Sequence, residues 1–125
     1  MSTSYDTDDE LLAEKKRQIR LLNDALRTES LPAGLALGRI VITRGVADRG
    51  SQFVNRAVRA VREFSDFTEN NDPYGEHDFG IFEIDGVSLN WKIDYYDLQL
   101  KWHSPDPADP TVTRRVLSIL LAEEY

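Results

Sequence analysis

The sequence predicts an α+β fold: a two-layer sandwich in which an antiparallel meander of about four strands is covered on one face by three helices. Three observations carry that expectation. From Val87 to Trp102 apolar and polar side chains alternate, the period of a sheet with one covered face. Asp85-Gly86 interrupts a β-rich run with the dipeptide favoured in tight hairpins. Three segments space their apolar residues three and four apart, so each is an amphipathic helix that needs a surface to cover.

In chain order the elements read α-β-α-β-β-β-α. Residues 1–6 read as a flexible tail and 7–125 as a single domain. Thr7 and Glu10 have capping-box spacing, with Asp8 and Asp9 favourable at a helix start. A first helix is expected from there to about Arg27, with Leu12, Ile19, Leu22 and Leu26 on its apolar stripe. Pro32, Gly34 and Gly38 break it. "RIVITR", residues 39–44, is β-branched and reads as a strand. After Gly45 a second helix is expected to end near Phe64, burying Phe53, Ala57, Ala60, Val61 and Phe64. Residues 65–76 form a polar loop turned by Asp72-Pro73 and Gly75. The meander follows: Phe79–Ile84, then Val87 to Tyr95, then Leu98, Leu100 and Trp102 on a third strand. Its outer side, with Ser88, Asn90, Lys92, Gln99 and Lys101, is expected to be wet. "SPDPADP", residues 104–110, is barred from helix and central strand by its prolines. Asp109 and Pro110 are then placed to cap and open a last helix burying Val112, Val116, Ile119 and Leu120.

Charge is unevenly spread along the chain. Net charge is −7, yet residues 11–62 carry eleven bases against four acids and residues 63–109 carry twelve acids against Lys92 and Lys101. Either the two halves neutralise each other in the fold, or two faces of opposite sign exist and one meets a partner. There is no cysteine, which excludes disulfides, thiolate metal sites and cysteine nucleophiles and fits a reducing cytoplasm. No basic-then-apolar leader opens the chain, and no apolar run approaches the roughly 20 residues that span a bilayer.

Candidate chemistry concentrates in four places. Glu76, His77 and Asp78 form the one histidine–carboxylate cluster. On a strand Glu76 and Asp78 point one way and His77 the other, so a metal or hydrolytic site would need help from Asp94, Asp97 or His103. No strong ligand spacing is present, so no metal and no cofactor is assigned. "WKIDYYD", residues 91–97, offers Asp94 as a base and tyrosines as proton donors, although alternation alone explains it as strand. Arg49, Arg56 and Arg59 share a helix face suited to phosphate. Asp72, Tyr74, Glu76, Asp78, Asp94, Asp97, Asp106 and Asp109 would make an acidic binding surface if the connecting loops face outward. No glycine-rich phosphate loop and no nucleophile elbow occurs.

The phrases "NDPYGEHDFG", "WKIDYYD" and "SPDPADP" followed by "RVLSILLAEEY" resemble the signature of a family of small alphaproteobacterial proteins, a domain of unknown function. The resemblance runs from about Ile19 to Tyr125. It implies a bacterial cytoplasmic setting and a mobile-element context, and it carries over no catalytic residue.

The expected function is that of a non-enzymatic interaction protein whose acidic surface binds a partner protein. Inhibition of a nucleic-acid-binding host defence system, of anti-restriction or anti-CRISPR type, is one such role. The alternatives are a small metal-dependent or hydrolytic enzyme on Glu76, His77, Asp78 and Asp94, and a nucleic-acid-associated regulator using Arg49, Arg56 and Arg59.

Overall fold

The structure, a computed structural model, describes residues 4–29 and 37–125 of the chain, the side chains of residues 4–6 excepted. Residues 1–3 of the expected tail, and the break at Pro32 and Gly34, lie outside the described residues. The fold is α+β. Helix α1 (Ser4–Thr28) is followed by strand β1 (Gly38–Ile42), a one-turn helix α2 (Arg44–Ala47), helix α3 (Ser51–Glu63), strands β2 (Phe79–Ile84), β3 (Val87–Tyr96) and β4 (Arg114–Leu121), and a 3-10 turn at Ala122–Glu124. The four strands lie in the order β1-β4-β3-β2. β2, β3 and β4 are antiparallel neighbours, while β1 runs parallel to β4. The sheet is therefore mixed, not purely a meander.

Two expected elements differ. The segment expected as a last helix is the strand β4, which lies between β1 and β3. Arg115, Leu117, Ile119 and Leu121 alternate toward the helices, and Leu120 is buried on the opposite side. A strand apolar on both sides reads as a continuous apolar run, and such a run satisfies helical spacing equally well. Asp109 caps a turn instead of a helix: its Oδ1 accepts from the Thr111 amide at 2.9 Å and hydroxyl at 2.6 Å.

The third strand of the expected meander is also absent. Asp97 Oδ1 accepts from the amides of Gln99 and Lys101 at 3.1 and 3.0 Å, and Leu100 takes a left-handed φ of 59°. That loop turns Leu98, Leu100 and Trp102 out to solvent, with Trp102 74% exposed. A single bridge, Tyr96 to His103, is what remains of the pairing.

Elsewhere local chemistry decides. Asp85 and Gly86 have φ of 52° and 78°, the doubly left-handed turn that suits the strand twist. In α3, Phe53, Ala57 and Val61 face the sheet as their spacing requires. Helix α1 starts at Ser4, so Thr7 lies inside it and does not cap it. Leu12, expected on its apolar stripe, is 54% exposed, and burial begins only at Ile19.

The core sits between the sheet's inner face and α2 and α3, with Trp91, Leu89, Leu117 and Ile119 fully buried. Phe64 and Phe67, in the chain after α3, meet the Trp91 ring edge-on at 5.5 and 6.2 Å. Gly80, opposite Trp91 on β2, has no side chain because a Cβ there would collide with the indole and with Phe64. The outer face is not uniformly wet. Asn90 is only 8% exposed, beside Leu120. The chain after β4 folds back there, bringing the Tyr125 ring to 6.1 Å from Phe79 on β2.

Candidate functional site

Four polar groups, two of them wholly buried, lock the acidic loop between α3 and β2 onto α1 and the sheet. Asn23 of α1, wholly buried, donates from Nδ2 to the Glu76 carbonyl at 3.0 Å and to the Tyr95 hydroxyl at 2.8 Å. Its Oδ1 accepts from Arg115 Nε at 2.7 Å. The Tyr95 hydroxyl passes its own proton toward Glu76 Oε1 at 3.0 Å. Arg115, also wholly buried, reaches the Pro107 carbonyl with Nη2 and lies over the Tyr95 ring at 5.1 Å. Burial holds the Arg115 guanidinium below its ordinary range, with Tyr95 and Glu76 opposing that shift. Burial also pushes the Tyr95 phenol far up, so this tyrosine is a fixed hydrogen-bonding group and not an acid at neutral pH.

A second cluster holds the other end of the loop. The His77 ring stacks on Phe67 at 3.7 Å. Its Nδ1 contacts the two Asp24 oxygens at 2.9 and 3.1 Å, and its Nε2 lies 3.5 Å from Asp72 Oδ2. Arg27, 4% exposed, donates to the carbonyls of Val61 and Phe64 at 2.8 Å each and to Asp24 at 3.2 Å. These bonds satisfy the frayed end of α3 and tie α1 to the start of the loop.

Between the two clusters the edge of β3 is uncovered. β2 begins at Phe79; before it the Asp78 carbonyl still accepts from the Ile93 amide at 2.8 Å, and beyond that the edge is met again by the Ser104 amide on the Tyr95 carbonyl at 3.0 Å and by the Tyr96–His103 bridge. The gap is a half-open cleft lined by Asp78, Ile93, Asp94, Tyr95, Tyr96 and His103. Burial raises the pKa of Asp78, and the charges of Glu76, Asp72 and Asp94 raise it further. Lys92, 3.2 Å from Asp94, is the nearby base.

The folded chain holds the Asp78 proton more tightly than the unfolded chain does, so stability falls as pH rises through that raised window. Asp78→Asn is therefore expected to raise the melting temperature at neutral pH. The gain should vanish below pH 3.8, the ordinary value of the group, where both forms are neutral. Thermal melts of the two proteins at pH 7 and pH 3 check it; an equal or lower melting temperature for the variant at pH 7 contradicts it.

The expected acidic surface is thus divided. Asp72 turns inward, its side chain 5% exposed, and accepts from the His77 amide at 3.1 Å. Glu76 is engaged by Tyr95. Asp78 and Asp94 share the cleft. Tyr74 is 68% exposed and lies 5.6 Å from the Lys16 amine. Asp97 and Asp109 cap turns, and Asp106 caps the Ala108 amide at 3.2 Å. Glu76, His77 and Asp78 do not converge, because the His77 ring faces Asp24, and among the described residues no group of three such side chains is placed to hold a metal. The three arginines do not share a helix face: on α3, Arg56 forms a bidentate pair with Asp85 at 2.6 and 3.0 Å and Arg59 pairs with Glu63 at 3.1 Å, whereas Arg49 lies in the turn before α3, over the Phe53 ring.

Asn23, Asp24, Arg27 and Arg115 were not singled out from the sequence. Asn23 and Arg115 are 92 positions apart, and no local pattern links them. The one available signal was an arginine at an inward position of an alternating strand, which only a strand reading of residues 114–121 exposes.

A family model described as "Protein of unknown function (DUF3768)" matches residues 42–124. No curated protein and no solved structure matches the chain.

Proposed function

The chain belongs to the DUF3768 family of proteins of unknown function, and from that premise we propose a non-enzymatic binding protein whose acidic cleft takes a lysine or arginine of a partner protein. The observation that supports this reading is the state of Asp78. Burial first, and then Glu76, Asp72 and Asp94, act against its charge, so a cation entering the cleft offsets a penalty already present. Tyr96 and His103 line the same cleft, and Trp102, next in the chain, is 74% exposed, giving aromatic faces against which a cationic stem packs. The twelve-to-two excess of acids over bases in residues 63–109 steers a basic partner from a distance, more strongly at low salt. No helix among the described residues is long and apolar enough to cross a membrane. In the bacterial, cytoplasmic and mobile-element setting that the sequence phrases imply, the basic groove of a nucleic-acid-binding defence protein is a partner of this chemistry. Arg56 and Arg59 already carry carboxylate partners; Asp94 likewise has Lys92, but Asp78 has no ion-pair partner among the described residues, which favours this reading over nucleic-acid contact through α3.

The test is a fluorescence-anisotropy titration with a labelled arginine-rich peptide. Asp78→Asn with Asp94→Asn is expected to weaken binding about tenfold, two partly screened pairs lost. Asp8→Asn with Asp9→Asn, the same change in net charge on the exposed start of α1, is expected to change it less than about twofold. Equal losses in both variants would reduce the effect to net charge and overturn the cleft.

A further inference from the structure

β2 lies at one end of the sheet. Its hairpin register pairs Ile84 with Val87, Phe82 with Leu89 and Gly80 with Trp91, and the Ile93 amide bonds the Asp78 carbonyl at 2.8 Å. A two-residue hairpin makes the pair flanking the turn a hydrogen-bonded one, and bonded pairs recur every second residue. Gly80 and Phe82 therefore bond toward β3, whereas Phe79, Ile81 and Glu83 turn their amides and carbonyls away from the sheet. No main-chain or side-chain partner for these groups occurs among the described residues. Their side chains all lie on the outer face, where Ile81 is 60% exposed. The strand carries neither proline nor lysine nor a bulge, devices that keep an edge from pairing, and Glu83 is its one charged side chain.

We propose that β2 pairs antiparallel with β2 of a second copy of this chain, about a twofold axis through Ile81, joining two four-stranded sheets into one. A twofold edge pairing is self-complementary. Ile81 meets its counterpart, and Phe79 lies opposite Glu83 of the second copy.

Charge selects the antiparallel direction. At the hairpin end of β2, the exposed Arg49 borders a hollow with Gly86 and Val87, while Arg56 there is already neutralised by Asp85. At the other end lies Asp78, in the cleft with Asp94. Antiparallel pairing sets the Asp78 end of each copy toward the Arg49 end of the other, twice by symmetry. Parallel pairing would set acidic end on acidic end. The long-range repulsion between two chains of net charge −7 is damped beyond roughly 8 Å at physiological salt, so the close pairs decide.

The chain contains no cysteine, so Ile81→Cys introduces one thiol per chain. Residues opposed in a bonded antiparallel pair have Cα atoms about 5.5 Å apart, within disulfide reach. Under mild oxidation this variant is expected to cross-link to twice the chain mass of 14.3 kDa on a non-reducing gel. Ser88→Cys, an exposed position on β3, is expected to stay at single mass. The unmodified protein is expected to sediment as a dimer, and Ile81→Lys as a monomer with unchanged circular dichroism. A parent protein that sediments at single mass throughout, or Ile81→Cys cross-linking no faster than Ser88→Cys, overturns the proposal. A monomer that still binds the arginine-rich peptide would overturn the dimer alone and leave the cleft standing.

Discussion

Asn23→Leu is expected to destabilise the chain by about 3–5 kcal/mol, the range for a buried charge stripped of its partner. Leucine fits the helix and is close in size, so neither helix propensity nor a large cavity dominates. What is lost is a hub. Asn23 accepts from Arg115 Nε and donates to the Tyr95 hydroxyl and the Glu76 carbonyl, and the residue is wholly buried. Without it, the guanidinium of a wholly buried Arg115 keeps only its bond to Pro107 and its contact with the Tyr95 ring. Arg115 Nη1 already lacks a partner among the described residues, so the site has no spare acceptor to offer. Urea denaturation reads the effect as a midpoint lowered by more than about 1 M. Against a total stability of roughly 5–15 kcal/mol for a domain of this kind, the variant would be marginal. The double variant Asn23→Leu with Arg115→Met separates causes. Removing both partners lifts the stranded charge, so it should be more stable than Asn23→Leu alone. A double variant that loses the sum of both single losses would show that the cost lay in packing.

Trp91→Ala is the second large effect, about 3–5 kcal/mol, as for other buried aromatic truncations. Trp91 has no exposed surface. Phe64 and Phe67 pack edge-on to it and the Arg27 guanidinium lies 5.4 Å from its ring. Gly80 cannot fill the void, since it sits directly opposite with no side chain. The cavity also undercuts the loop that Arg27 and His77 hold, because Phe67 loses the ring it leans on while still stacked on His77. The measurement is the same denaturation curve. Trp102→Phe supplies a background in which Trp91 is the sole tryptophan, since the chain has two and Trp102 is the exposed one. Blue-shifted emission in that background that moves red with unfolding is expected. Red emission in the native state would place Trp91 in water and contradict the packing.

The hairpin and α3 were legible because their causes are local. Asp85-Gly86 dictates a turn by backbone sterics, and Phe53, Ala57 and Val61 fall on one side of any helix that contains them. The failures share one cause. Leu98, Leu100 and Trp102 alternate as a strand would, but Asp97 collects the amides of Gln99 and Lys101 and closes a loop before pairing begins. Val112, Val116, Ile119 and Leu120 have helical spacing, but in β4 Val116 and Leu120 are apolar residues on the outer face, with Leu120 buried there, and apolar side chains on both faces hide the period of two.

The acidic segment divides in the same way. Its excess of carboxylates was countable from the sequence. Which of them face solvent depended on Asn23 and Arg115 and on Asp24 with His77, contacts between residues 53 to 92 positions apart.

By itself the sequence determined the α+β class, the hairpin, the amphipathic α3, the absence of thiol chemistry and the excess of negative charge after residue 62. Each of these follows from the composition or from residues within a few positions of one another. Only the tertiary structure decided that β4 is a central strand, that β1 joins it in parallel, that Asp72 and His77 turn inward, and that Asp78 and Asp94 border an open gap in β3. Those outcomes rest on burial and on hydrogen bonds between distant parts of the chain, which acquire their strength only once water has been excluded from between them.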